Sequence, residues 1–328
     1  MMSNIRLHKE FVKALQAKIP HKSELINIIS DTLCIEKEPA ARRLNEKVQF
    51  SVHEMGILAK KFGISLDSLL YDDNKSYWVP LILESPLGAK SMDVLYDITD
   101  AWLNRMADIA QEPVEFGTVF NTLPIEFYMH HPYLMKFMFF KWGHYFVGTD
   151  EFNNFSQWQL PERMSNLKEK VESVLTACEH TLYIWDESLI WTFVNEINYF
   201  YKMNIINDED LKNIKSDLKQ QLMNLEKYTG GISTPEKSSK NLSFYVSNMN
   251  LGVSAHYLFS EKKKLYNFKT NFTFVSSDNN NYGEHDEIKK WIHSFKNISV
   301  LISGSGPLER KLFFMKQHRI IDEFLVIK

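Results

Sequence analysis

The sequence predicts a mainly α chain: a bundle of five short helices at the amino end, a helical middle region, and a small C-terminal α+β module. Three observations carry this prediction. Apolar residues recur at helical spacing through residues 5–70 and 91–228, which puts them on one face of each helix. Helix-start and helix-stop residues punctuate the first of these stretches. After the break "YTGGISTPEKSSK" (228–240) the texture changes to short runs of β-branched and aromatic residues, as strands require.

The elements follow in order. Residues 5–18 carry Phe11, Val12, Leu15 and Ile19 on or near one face, and Pro20 ends the run. Residues 22–34 give a second helix with a stripe of Leu25, Ile28, Ile29 and Leu33. A third, short helix begins near Pro39, whose missing N–H is not needed in a first turn. In the fourth, Ser51 caps the start, Glu54 reaches back to it, and Phe50 packs on Met55. Met55, Leu58, Ala59 and Phe62 form its buried stripe, and Gly63 supplies the exit. Ser65 caps a fifth helix through Leu70, with Asp67 near its start. Residues 71–90, with "DDNKS" and two prolines, read as a linker. Residues 91–228 read as long helices, among them "MSNLKEKVESVLTACEHTLYI" taken as one. In the tail, "LSFYVSN", "AHYLFS", "NFTFVSS" and "SVLIS" read as strands, and "EIKKWIHSFKNI" and a segment from Pro307 as helices. The domain plan is therefore 1–70, then a core or dimerisation region at 91–228, then a candidate sensor module at 241–328.

Composition narrows the function. The chain has 328 residues, 44% hydrophobic and 24% charged, with net charge −3, as expected of a globular protein. Residues 1–70 hold 11 Lys and Arg against eight Asp and Glu, and the remainder holds 27 against 33. A basic head on an acidic body suits a polyanionic partner at the amino end. Cys34 and Cys178 lie far apart in apolar patterns and read as buried free thiols in a reducing, cytoplasmic compartment. The start "MMSNIRLHKEF" lacks a signal-peptide run. Residues 127–146 hold nine aromatics, but also three His and two Lys, so they read as a buried helix rather than a membrane span. Phe139 and Trp142 there line either a core or a pocket.

A helix-turn-helix reader packs two short helices and presents the second to the major groove. Residues 22–33 match the bracing helix and 38–46 the reading helix. Leu44 and an alanine point inward, leaving Arg42, Arg43 and Lys47 at the surface or its edge. Arginine pairs by its fork with guanine edges or phosphates, and Lys37 and Lys47 are placed to hold the backbone. The same bundle also serves as a protein-interaction module, and that alternative stays open.

"LINIISDTLCIEKEPAARRLNEKVQFSVHEMGILAKKFGISLDSLL" resembles the N-terminal domain of predicted transcription regulators of Bacteroides-like bacteria. Their helix-turn-helix is similar to that of phage repressors (Cro-like, XRE-type, lambda-repressor-like). The resemblance rests on Ile35, Ala40, Arg42, Arg43, Leu44, Glu46, Phe50, Ser51, Glu54, Leu58, Ala59 and the "FGISLD" of 62–67. It implies that Arg42 and Arg43 lie on or beside a recognition helix, with double-stranded DNA as partner and a homodimer as the working form. "LISGSGPLERKLFFMKQ" resembles the closing segment of the same group. Where phage repressors usually start their two key helices with Gln or Ser/Thr, this chain has "HKSEL" and "EKEPA".

A second candidate lies at "SGSGPLER" (303–310). Ser303, Gly304, Ser305 and Gly306 at a helix start offer backbone N–H groups to an anionic effector, with Arg310 one turn in. The plainer account is a tight strand-to-helix connection in which Arg310 pairs with Glu309 or Asp322. The spacing of a phosphate loop or dinucleotide fingerprint is absent. His130, His131 and His144 are too divergent along a helix to share a metal. With no HExxH, nucleophile elbow or cysteine–histidine array, neither an enzymatic reaction nor a cofactor is expected.

Overall fold

The computed structural model describes residues 2–66, 69, 82–84, 90–121, 123–231, 241–270, 273–277, 282–304 and 306–327. It divides into two units, Met1–Pro80 and Leu81–Lys328.

In the first unit α1 (Met2–Lys18), α2 (Lys22–Leu33), α3 (Lys37–Leu44) and α4 (Val52–Phe62) follow the sequence expectation closely. Their apolar stripes converge on one core that includes Phe11, Leu15, Leu25, Ile29, Leu44, Phe50 and Leu58. Phe11 meets Phe50 edge-on at 5.8 Å. The reciprocal cap of α4 is present: Glu54 N–H donates to Ser51 Oγ, and Ser51 N–H donates to the Glu54 carboxylate at 2.7 Å. Gly63 closes α4 at φ 62°, where glycine carries no Cβ penalty. The fifth helix expected from Ser65 falls largely outside the described residues, as do Asp67 and Leu70.

The second unit runs β1 (Ile82–Glu84), α5 (Met92–Ile109), β2 (Val114–Phe120), α6 (Ile125–Tyr128), α7 (Pro132–Phe146), α8 (Glu162–Ser165), α9 (Leu167–Thr176), β3 (Cys178–Asp186), α10 (Leu189–Lys202) and α11 (Asp208–Thr229). There follow β4 (Asn241–Ser247), β5 (Ser254–Phe259), β6 (Lys264–Thr270), β7 (Thr273–Ser277), α12 (Tyr282–Ser294), β8 (Ser299–Leu301) and α13 (Pro307–Phe324). The strands form one sheet in the order β1-β7-β6-β5-β2-β3-β4-β8. β2, β3 and β4 are parallel neighbours, and every other pairing is antiparallel. Helices pack on both faces. Trp102 of α5 reaches His256, Phe127 of α6 stacks on Trp185, and Phe313 of α13 meets Trp185 on one face. His293 of α12 meets Tyr257 on the other.

The chain is mainly helical, as expected, but the sheet corrects the domain plan. The region expected to be helical contributes β2 and β3 to the middle of the sheet. The expected C-terminal module is not separate: β4 pairs with β3, and β5 with β2. Residues 81–328 are one unit around one core. The segment read as a single helix ends at Thr176, and β3 begins two residues later. Thr181–Asp186 are all buried. A parallel strand covered on both faces shows no alternation of polar and apolar residues, so its sequence runs on from the helix without a visible seam.

Candidate functional sites

The first site is built on α2 and α3. Three residues join them, and Cys34 opens the turn at φ 53° with its N–H on Ser30 O. α3 buries Ala40 and Leu44 and exposes Lys37 and Arg42, with Lys47 exposed just beyond. Glu36, Glu38 and Glu46 are exposed in the same stretch. Among the described residues none of the three forms an ion pair with Lys37, Arg42 or Lys47.

Arg43 departs from the expectation. Its Nε and Nη2 donate to the two Glu54 oxygens at 3.2 and 2.8 Å, and Nη1 donates to Pro39 O at 3.2 Å. The side chain is only 18% exposed. One turn after Ala40 and adjacent to Leu44, it lies on the flank of the buried stripe, and its fork is committed to α4. Burial alone would raise the Glu54 carboxyl, but the hydrogen bonds from Arg43 and Ser51 outweigh it and hold the group below the usual carboxylate range. Arg43 therefore positions α3, and the outward cations are Lys37, Arg42 and Lys47.

The turn at 303–310 is used by the fold. Ser303 is buried. Its hydroxyl accepts from Phe244 N–H at 3.0 Å and donates to Leu242 O at 3.2 Å. Gly304 N–H donates to Thr229 O. Arg310 Nη1 donates to Ile302 O at 3.0 Å, with Gly304 O and Thr229 O at 3.4 and 3.5 Å. A Cβ on Gly306 would sit 2.8 Å from Leu301 O, so the backbone approach there requires glycine. Arg310 faces carbonyl oxygens rather than Glu309 or Asp322. The turn thus ties β4, α11 and α13 together, as the plainer account of a tight strand-to-helix connection expects, and Ser305 lies outside the described residues.

Of the histidines of 127–146, His131 is buried and His130 and His144 are half-buried, His130 Nδ1 lying 3.5 Å from Glu172 Oε1. His131 Nε2 lies 2.7 Å from Gln221 Oε1, and His144 Nδ1 lies 2.9 Å from Phe152 O. No cluster of metal-ligating side chains occurs among the described residues, and no described helix is long and apolar enough to cross a membrane.

Two polar sites went unread in the sequence. On one face of the sheet, Tyr257 donates to Glu115 Oε1 at 2.7 Å, and His293 Nε2 lies 2.7 Å from the same hydroxyl. Lys289 pairs with the second Glu115 oxygen, and Lys296 Nζ lies 3.3 Å from His293 Nδ1. Burial, then the Lys296 charge, lowers His293; burial, then Glu115, raises Tyr257. The network fixes α12 to β2 and β5.

On the opposite face is a partly open cavity of about 60 Å³ bounded by α5, β2, α6, α7, α9 and β5. Trp102, Phe116, Phe120, Phe139 and Trp142 contribute rings to its wall, and Glu126 contributes a carboxylate. Glu126 is 8% exposed. It takes a hydrogen bond from Tyr183, while its Oε1 is buried with no hydrogen-bond partner among the described residues. Burial, then the Glu126 charge, pushes the Tyr128 and Tyr183 hydroxyls above tyrosine's ordinary value. Phe139 and Trp142 thus line both the core and a pocket. The signal that could have revealed Glu126 is a single carboxylate in "PIEFYMHHPYLMKFMFF".

Compared with protein-family models, curated proteins and solved structures, the chain matches none.

Proposed function

We propose that this chain is a DNA-binding transcription regulator that occupies an operator through paired N-terminal units, with the larger unit setting their separation and sensing an effector. The observation that carries the reading is α3. It is the second helix of a closely joined pair, it is anchored from behind by Arg43 on Glu54, and it exposes Lys37 and Arg42. Laid in a major groove, Arg42 meets a base edge or a phosphate, and Lys37 and Lys47 hold the backbone on either side. A single reader makes few phosphate contacts. Pairing doubles them and matches a palindromic site.

A second reading is favoured by one observation. The exposed Glu36, Glu38 and Glu46 equal the exposed Lys37, Arg42 and Lys47 in number, which weakens attraction to phosphate and suits a protein partner. Selection from a random DNA pool separates the two. The regulator reading expects enriched half-sites about 10 base pairs apart, or a multiple of that. It also expects Arg42→Ala to weaken binding and, for a phosphate contact, to flatten the salt dependence by about one unit of slope. No enrichment, with Arg42→Ala indistinguishable from the parent, sinks DNA binding and leaves the interaction module.

A further inference from the structure

The cavity of the larger unit holds a carboxylate oxygen among rings and hydroxyls. Glu126 Oε1 is sealed from solvent and unpaired among the described residues, and burying an ionised carboxylate oxygen without a partner is costly. Thr99 and Thr118 also line the space. Their hydroxyl protons are already given away, to Leu95 O at 2.8 Å and Ala255 O at 3.1 Å, so they have only lone pairs left to offer. No Lys or Arg lines the cavity, so the wall supplies no ammonium or guanidinium as a counter-charge. The remaining wall is aromatic and aliphatic, and aromatic rings attract cations through their electron-rich faces.

We propose that this cavity binds a small primary alkylammonium ion, its nitrogen held by Glu126 and its alkyl chain against the rings of Trp102, Phe116 and Trp142. The size agrees. A space of about 60 Å³ corresponds to roughly two water volumes, enough for a chain of a few non-hydrogen atoms and too little for a benzene-sized ring. The ammonium donates up to three hydrogen bonds, and the unpaired carboxylate oxygen takes the first of them. The site gives the proposed regulator a nitrogenous effector, but binding itself is independent of DNA and stands if the N-terminal unit reads no operator.

Titration calorimetry on the full chain at pH 7 tests this with n-propylammonium chloride and its neutral counterpart 1-propanol. The ammonium is expected to bind at least about tenfold more tightly, as befits pairing a buried charge. Glu126→Gln is expected to abolish that preference. Leu175→Trp, a substitution at a half-buried position of the wall, is expected to block both probes by filling the space. If Glu126→Gln does not fold, the wild-type preference together with its loss in Leu175→Trp decides. Equal or tighter binding of 1-propanol, ammonium binding unchanged in Glu126→Gln or Leu175→Trp, or no binding of propylammonium to folded wild-type protein would each overturn the proposal.

Discussion

Arg42 and Arg43 are neighbours in sequence with opposite tasks, because consecutive helical residues diverge by about 100°. Arg42 is exposed, whereas Arg43 closes a two-pronged pair on Glu54. Glu54 is already half of the cap that starts α4. One carboxylate therefore joins α3 to α4 and caps α4 at once. Arg43→Ala removes both prongs, and charged hydrogen bonds of this kind contribute roughly 1.5–3 kcal/mol together with the cost of the stranded partner. The expected outcome is a loss of about 2 kcal/mol in the stability of the N-terminal unit, read by urea denaturation at pH 7. The pH dependence has a definite sign. Glu54 has a folded value below its ordinary 4.5, so its contribution is present above that value and lost as pH falls through the lowered one. Arg43→Ala should flatten this acid limb of the stability curve. An unchanged midpoint and limb would mean that the pair is incidental. From sequence alone the cap Ser51–Glu54 could be read, because it is local. The Arg43–Glu54 pair could not, because it joins two helices across 11 positions.

At the scale of elements, the α2–α3 turn depends on Cys34 in the left-handed region at φ 53°. That conformation costs a residue with a Cβ about 1–2 kcal/mol, and glycine escapes it while losing about 0.5–1 kcal/mol through its freer unfolded chain. Cys178 is buried as the sequence suggests, but Cys34, expected to be a buried thiol, is exposed in the turn, with only a weak 3.8 Å contact to Asp31 O. Cys34→Gly is therefore expected to stabilise the unit by about 0.5 kcal/mol, seen as a small rise in its unfolding temperature. A fall would show that the thiol packs more than its exposure indicates. The same contrast between local and distant causes explains what the sequence made legible. α4 announces both ends, with Ser51 and Gly63, and α13 announces its start with Pro307. β4, β5 and β8 were readable because flanking turn residues bracket short runs. β3 was not, since Val174 and Cys178 keep helical spacing across the point where α9 stops. What ends α9 is the pairing of Cys178–Asp186 with β2 and β4, more than 50 residues away on either side. The cavity was hidden for a related reason: its wall comes from six elements that only the sheet brings together.

At the scale of the whole molecule, the chain holds two hydrophobic cores that share no residue, one drawn from residues 7–69 and one from 92–325. Folding stability should therefore divide into two transitions, each answering to its own substitutions. The sharpest probe of the larger unit is Gly117 on β2. A Cβ built there would lie 2.2 Å from Tyr257 Cε1, inside any tolerable contact. The ring cannot swing aside, because Tyr257 is fully buried and its hydroxyl is held by Glu115 and His293. Gly117→Ala forces the strand or the ring to move, at a cost of about 3 kcal/mol or more. For a unit of this size each kcal/mol lowers the midpoint by about 2–4 °C. Scanning calorimetry should show the transition of Leu81–Lys328 falling by roughly 6–12 °C while that of Met1–Pro80 stays in place. Arg43→Ala should produce the reverse pattern. The paired result matters for function as well as stability. If Gly117→Ala left the N-terminal transition and the DNA affinity of a single unit intact while abolishing cooperative occupancy of paired half-sites, pairing would lie in the larger unit. Movement of one common transition in both variants would mean instead that the cores unfold together, and the assignment of separate tasks to separate units would have to be given up.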